Sequence, residues 1–294
     1  MRILHSAFYM IISEVVTIIR LYYESEYGKL QLNDNFIKCL QIEGLNFPEK
    51  EINVVGYVGE SGQTTISKKD MARTITISGD LVGGKNQLAY ANRVLYYDGH
   101  LVFTFDQKVR KIACKCTSFP DPERFGKDFK RIVMQFICDK PEFTDFVNTR
   151  VFAFGRTNEV LTKFTLKSGV PCVFTSSTYE TDVYNSGDLN CEPIFYITVE
   201  RSGANITIYN DTTGQHITLN YSFTEGETVI IDIDKRTIKN TDDANLINYI
   251  SDDTFLSEFW LQKGINRLRL TKGTPALGVS IICEFSNKYI EAVY

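Results

Sequence analysis

Histidine is nearly missing from this chain of 294 residues: there are three. That count leaves few places for His-rich metal sites or imidazole proton shuttles. Tryptophan occurs once and proline seven times, and no low-complexity tract or solenoid-type repeat runs through the text. No apolar run reaches the ~18 residues of a membrane span. Net charge is only −4, which argues against a chain built mainly to hold nucleic acid phosphates. The seven cysteines (39, 114, 116, 138, 172, 191 and 283) form an odd set without framework spacing. They read as reduced thiols used as small hydrophobes rather than as an oxidised scaffold.

What is present is aromatic. Twenty Phe and sixteen Tyr sit in a chain that is 43% hydrophobic and 23% charged, enough for a sizeable core and too balanced for wholesale disorder. Aromatic and β-branched residues suit a pleated, half-buried surface, so the composition points to sheets. Length alone suggests about two domains.

Residues 1–16 precede the strand pattern and read as a strand-forming or disordered leader. The stretch from Met1 to Ile19 has the look of a weak signal peptide, but His5 and Glu14 interrupt it and no small-x-small cleavage site follows. From Thr17 short strand-like runs alternate with turn signals: Thr17–Glu24, Phe36–Ile42, Arg73–Ser78, Leu101–Phe105, Val109–Thr117 and Arg131–Asp139. Glu49–Lys69 reads as a loop with room for a short strand, and Leu88–Tyr97 as a helix feeding the next strand. Pro141 stops the sheet, because proline cannot donate to a ladder.

Beyond it, strands are expected at Thr162–Leu166, Cys172–Phe174, Ile194–Glu200, Asn205–Tyr209, Ile217–Tyr221, Thr228–Asp234, Asn266–Leu270 and Val279–Phe285. This spacing without intervening helices is the pattern of a β-sandwich. Charge divides at the same place: residues 1–142 hold 19 Lys and Arg against 17 Asp and Glu, residues 143–294 hold 13 against 19. The expected organisation is an extension (1–16), a β domain (17–142) and a β-sandwich domain (143–294).

Candidate sites are few, and each has a bland reading beside the functional one. Gly56-Tyr-Val-Gly59-Glu-Ser-Gly62 has the wrong spacing for a nucleotide fingerprint or a nucleophile elbow and reads as a loop. Cys114 and Cys116 share a strand face as half of a metal site, but no further ligands stand nearby, so buried thiols are the expectation. Asp232 and Asp234 share a strand face as a glycosidase pair would, or as any solvated sheet face would. His216 lacks a visible acidic or serine partner and reads as an exposed strand-end residue. Trp260, in an apolar crowd, reads as a core or interface anchor, with sugar stacking the sharper alternative. Arg124, Lys127, Lys130 and Arg131 form the densest basic patch, suited to lining a DNA channel, docking an acidic partner or simply facing solvent. The triplets at Asn205, Asn210 and Asn220 fit the glycosylation pattern and equally the Asn and Thr content of β-turns.

The order of several short motifs is more specific. Leu21-Tyr-Tyr-Glu-Ser-Glu-Tyr-Gly28, Arg73-Thr-Ile-Thr-Ile-Ser-Gly79 and Phe136-Ile-Cys-Asp-Lys-Pro-Glu-Phe143 mark the first half. Asn185-Ser-Gly-Asp188, Pro193-Ile194, Asn210-Asp-Thr-Thr-Gly214, Gly226-Glu227 before Ile231-Asp232, and Phe259-Trp-Leu-Gln-Lys-Gly264-Ile-Asn266 mark the second. In this order, over residues ~17 to 294, the chain resembles the distal tail proteins of long-tailed phages, the siphovirus-type tail component family. The resemblance implies an all-β protein: a ring-forming, sandwich- or barrel-like N-terminal domain with one short helix, and a galectin-like C-terminal β-sandwich. It implies a structural, non-enzymatic role without cofactor or metal, as a hexameric ring joining tail tube to baseplate or tail tip while DNA passes through the lumen without specific binding. The implied partners are the tail tube protein, a tail-tip, tail-associated lysin or fibre protein and a receptor-binding protein, with no membrane. The implied location is the virion tail, assembled in the bacterial host cytoplasm. The alternative is a carbohydrate-binding module or adhesin for host wall glycans, although the His-Asn-Arg set of true galectins is not visible in the sequence.

Overall fold

The computed structural model describes residues 20–59, 61–82, 85–105, 108–119, 123–125, 129–159 and 174–292. The chain is mostly β, with a single α-helix among the described residues. It divides into two compact units, 1–146 with 289–294, and 147–288.

The first unit contains β1 (Arg20–Ser25), β2 (Gly28–Gln31), β3 (Ile37–Glu43), β4 (Lys50–Val55), β5 (Thr64–Asp70) and β6 (Arg73–Val82). After these come α1 (Lys85–Tyr96), β7 (Gly99–Phe105), β8 (Lys108–Ser118), β9 (Glu123–Phe125), β10 (Phe129–Cys138) and β11 (Phe143–Asp145). The main sheet runs β2-β1-β7-β8-β10-β6-β3 and is not closed into a barrel. Strand β8 is shared by two halves: Lys108–Cys114 pairs with β7, and Lys115–Ser118 pairs with β10. Period-two alternation on β6 buries Arg73, Ile75, Ile77 and Leu81, and they meet Ile132, Met134, Phe136 and Cys138 of β10 in one core. Each fully buried large apolar side chain there contributes about 1.5–3 kcal/mol. Helix α1 closes on this core with Ala91, Val94 and Leu95, the i, i+3, i+4 stripe of an amphipathic helix. The Ser25 hydroxyl donates to the Val94 carbonyl at 2.9 Å and satisfies one acceptor that the helix end leaves open.

The second unit is a sandwich. Its strands are β12 (Thr149–Glu159), β13 (Phe174–Thr178), β14 (Glu180–Asn185), β15 (Ile194–Arg201) and β16 (Gly203–Asn210). They continue with β17 (Gln215–Phe223), β18 (Thr228–Asp232), β19 (Thr237–Asn240), β20 (Gly264–Lys272) and β21 (Gly278–Phe285). One sheet runs β13-β12-β21-β15-β18-β19, the other β14-β20-β16-β17. Alternation on β16 and β21 turns Ile206, Ile208, Val279, Ile281, Cys283 and Phe285 into one core with Phe195, Phe259 and Leu261.

Several expectations need correction. Glu49–Lys69 is not a loop: β4 and β5 form an antiparallel hairpin whose tip carries the glycines. The clean alternation that marks a half-buried strand is missing because this hairpin buries neither face. Pro141 ends β10 but not the sheet, since β11 follows and pairs with β8. Glu123–Phe125, between the expected strands Val109–Thr117 and Arg131–Asp139, is a further strand on β10. Strands β2, β12, β14 and β19 have no counterpart among the expected strands, and 162–166 and 172–173 lie outside the described residues.

The last residues also return to the first unit. Tyr289, in β22 (Lys288–Tyr289), donates its hydroxyl to Asp145 at 3.0 Å. Arg110, buried, stacks on the Tyr289 ring at 3.8 Å and donates to the Glu291 carbonyl at 2.6 Å. Arg73, also buried, donates to the carbonyls of Pro141 (2.8 Å), Gly44 (2.8 Å), Ile290 (2.6 Å) and Asn46. Gly44 is fixed by this crossing: its φ is +87°, and a Cβ there would lie 2.2 Å from the Thr74 carbonyl. A buried guanidinium on carbonyl oxygens leaves no periodic trace in a sequence, so this tail was not separable from the second domain by reading it.

Candidate functional site

The residues singled out from the sequence do not converge. Asp232 is the last residue of β18 and is buried, whereas Asp234 stands exposed in the following turn, so they do not share a strand face. Asp232 accepts the backbone N–H of Lys235 at 2.9 Å and pairs with its ammonium at 3.1 Å, which makes it a turn cap.

His216 does have an acidic partner, contrary to expectation. Its Nε2 lies 3.2 Å from Asp253 Oδ2, brought by a loop 37 positions later that no spacing rule would connect. The Ser251 hydroxyl bonds the other Asp253 oxygen. This hydroxyl, followed by His216, holds the Asp253 carboxyl below its ordinary range. The carboxylate stands between serine and imidazole, so the imidazole cannot take the serine proton and the set is no nucleophile triad. Tyr209 packs beside His216 at 5.8 Å, and Arg269 lies over the Tyr209 ring at 4.2 Å while holding Asp211 through two bonds of 2.8 Å.

Trp260 is half-buried between Phe259 and Leu261, and those two neighbours, not the indole, enter the core. Its loop is held by three buried asparagines. Asn185 donates to the Leu261 carbonyl (3.0 Å), Asn210 to the Trp260 carbonyl (3.0 Å), and Asn266 to the Gln262 (2.8 Å) and Gly264 (3.1 Å) carbonyls. These three are the Asn of the motifs Asn185–Asp188, Asn210–Gly214 and Phe259–Asn266. The motif order read from the sequence is thus a set of loop fasteners, and a buried Asn210 is closed to glycosylation.

Cys114 is buried and Cys116 half-buried. The Cys138 side chain, on the neighbouring strand, together with burial pushes the Cys114 thiol far up, and burial pushes Cys116 up to about 11. Among the described residues no three His, Cys, Asp or Glu side chains converge as metal ligands would. Of the basic patch, Lys127 lies outside the described residues, Arg124 and Lys130 are placed on the β9–β10 pair, and Arg131 lies 3.8 Å from Asp80.

What the structure presents instead is apolar surface on the first unit. The β4–β5 hairpin forms a two-stranded sheet of its own, with Ile52 52%, Val54 41% and Ile66 68% exposed and Tyr57 and Val58 at its tip. An isolated hairpin is marginal in water, and such residues on a free surface mark a contact waiting for a partner. Leu40, 62% exposed in a bulge on the edge strand β3, and Phe47 extend the same character. Their signal in the sequence was the aromatic and aliphatic excess, which gives no addresses. Among the described residues no helix is long and apolar enough to cross a membrane.

Comparison with known proteins gives these surfaces a setting. Residues 186–289 match the model of the siphovirus-type tail component, C-terminal domain. No curated protein matches the chain. The solved SPP1 Dit protein, described as a hub adsorption apparatus of phages infecting Gram-positive bacteria, superposes with a TM-score of 0.66 at 13% identity, over 92% of this chain and 99% of that one. A chain of the phage P2 baseplate in its activated conformation with Ca gives a TM-score of 0.54 at 13% identity, over 94% and 100%. The same baseplate with Sr gives 0.52 at 13%, over 91% and 98%.

Proposed function

We propose that this chain, whose second unit carries the siphovirus-type tail component C-terminal domain, is a structural hub of a phage or prophage tail. It joins the tail tube to the baseplate or tail tip as a ring of identical subunits through which DNA passes, and it performs no catalysis. The observation that carries this reading is the whole-chain likeness to the SPP1 Dit protein, which runs through both units and leaves almost none of either chain over. The separate β4–β5 hairpin supports self-association: it offers apolar faces and open backbone edges that a second copy would cover. Six copies, the tail tube protein and tail-tip proteins are the partners that the reading names.

Light scattering coupled to size exclusion, over a range of concentrations, tests it. The expected result is a hexamer mass for the intact protein and a monomer mass for the double variant Ile52→Asp/Ile66→Asp, with the thermal transition of the second unit unchanged. A protein that stays monomeric at every concentration and does not bind tail-tube protein would overturn the hub.

A further inference from the structure

The densest exposed aromatic cluster lies elsewhere in the first unit, where the β1–β2 turn meets the last turn of α1. Tyr27 stands parallel to Tyr97 with ring centroids 6.2 Å apart and planes 4° apart, Tyr96 meets Tyr97 edge-on at 5.4 Å, and Tyr90 tilts against Tyr27 at 6.2 Å. None of the four belongs to the core, and Tyr96 is 83% exposed. Packing alone does not explain them. The rings are nevertheless held in place. Tyr90 donates its hydroxyl to the Lys29 carbonyl at 3.1 Å, and Arg93 donates Nη1 to the Tyr27 hydroxyl at 3.1 Å. Gly28 leaves room for this arrangement, since a Cβ there would lie 2.7 Å from the Tyr90 hydroxyl.

Tyr27, Asn92, Arg93, Tyr96 and Tyr97 enclose an open cavity of about 460 Å³, within the range of small-ligand sites. Its walls are aromatic faces and edges, and its polar groups are the Asn92 amide, the Arg93 guanidinium and phenolic hydroxyls. Glu26 and Asp98, next in sequence to Tyr27 and Tyr97, line a second depression with Glu24 and His100. The aromatic cavity is therefore flanked by charged side chains. The carboxylates stand beside the cavity and offset the charge of Arg93, while the acceptors within it are the Asn92 amide oxygen and the phenolic oxygens.

We propose that this tyrosine cavity is a binding site for a neutral hexopyranose unit. The ring's C–H face stacks on Tyr96 and Tyr97, while Asn92 and Arg93 donate to its hydroxyls. The site is independent of the hub reading and lies in the other unit from Trp260.

Saturation-transfer NMR on the full chain, with glucose, galactose, N-acetylglucosamine and short oligomers of each as probes, tests the proposal. Transfer is expected to the pyranose ring protons of at least one neutral sugar. Tyr96→Ala should weaken that binding about tenfold, with Tyr96→Phe restoring it and Trp260→Ala leaving it unchanged. Tyr96 is exposed and lies outside the core, so an unaltered melting curve separates loss of the site from loss of the fold. The proposal is overturned if no neutral sugar gives transfer, if Tyr96→Ala and Tyr97→Ala leave transfer intact, or if inorganic phosphate or a sialylated sugar binds in preference. A protein contact takes its place if these substitutions abolish binding of tail-tube protein while no sugar binds.

Discussion

In the second unit, the large apolar side chains lie mostly between two sheets; in the first, a similar core coexists with most of the exposed large apolar residues among those described. The sandwich closes on itself and fastens its loops with buried asparagines. The first unit leaves out a hairpin, a bulged edge strand and a tyrosine cluster, and fastens its returning tail with buried arginines. A β-sandwich that covers its own core can be carried as a module, whereas a unit with uncovered apolar surface is completed by something outside itself. The uncovered apolar surface thus lies mainly in the first unit, although the family match lies in the second.

Substitutions that separate the units have the largest expected effects. Phe195→Ala, at a fully buried ring packed edge-on against Phe259 at 5.7 Å, is expected to cost the second unit about 3–5 kcal/mol in denaturant unfolding. The transition of the first unit should stay in place; a joint shift would show that the two unfold as one. Arg73→Ala is the counterpart for the first unit. Removing a buried cation that serves four carbonyls should cost about 3 kcal/mol. The same transition should fall when the chain is cut after Lys288.

Thiol chemistry sharpens the comparison with a smaller effect. Cys39 and Cys116 of the first unit are half-buried, whereas Cys191 and Cys283 of the second are fully enclosed. Peptide mapping after alkylation of the native protein should find label on Cys39 and Cys116 before Cys114, Cys138, Cys191 or Cys283. Slow labelling is expected even there, because burial raises both thiols. Early modification of Cys283 would mean that the sandwich opens more readily than its packing implies.

The smallest effect is electrostatic. Arg269 holds the Asp211 carboxyl below its ordinary range. A carboxyl whose pKa is lower folded than unfolded stabilises above the unfolded value, near 3.9, and that contribution is lost as pH falls through the folded value. Thermal melts should therefore show a shallow loss in the second unit below about pH 4, and Asp211→Asn should flatten it.

Much of the strand pattern was legible, because period-two alternation records which face of a strand is buried. Arg73–Ser78, Ile194–Glu200 and Val279–Phe285 were visible for that reason, each within a longer observed strand. The hairpin was not, since two exposed faces carry no alternation. The partnership of His216 with Asp253, the separation of Asp232 from Asp234 and the half-exposure of Trp260 depend on loops and strand ends, where spacing does not report direction. The asparagines were visible as motifs but not as fasteners, because a carbonyl acceptor leaves no mark on residue identity.

By itself the sequence determined the β class, the two-part organisation of the strands and the scarcity of catalytic side chains, since these follow from composition and local periodicity. Only the tertiary structure decided which aromatics are core and which are surface, where the tail returns, and that the uncovered apolar area gathers in the first unit. Those outcomes depend on contacts between residues far apart in the chain, and no local pattern encodes them.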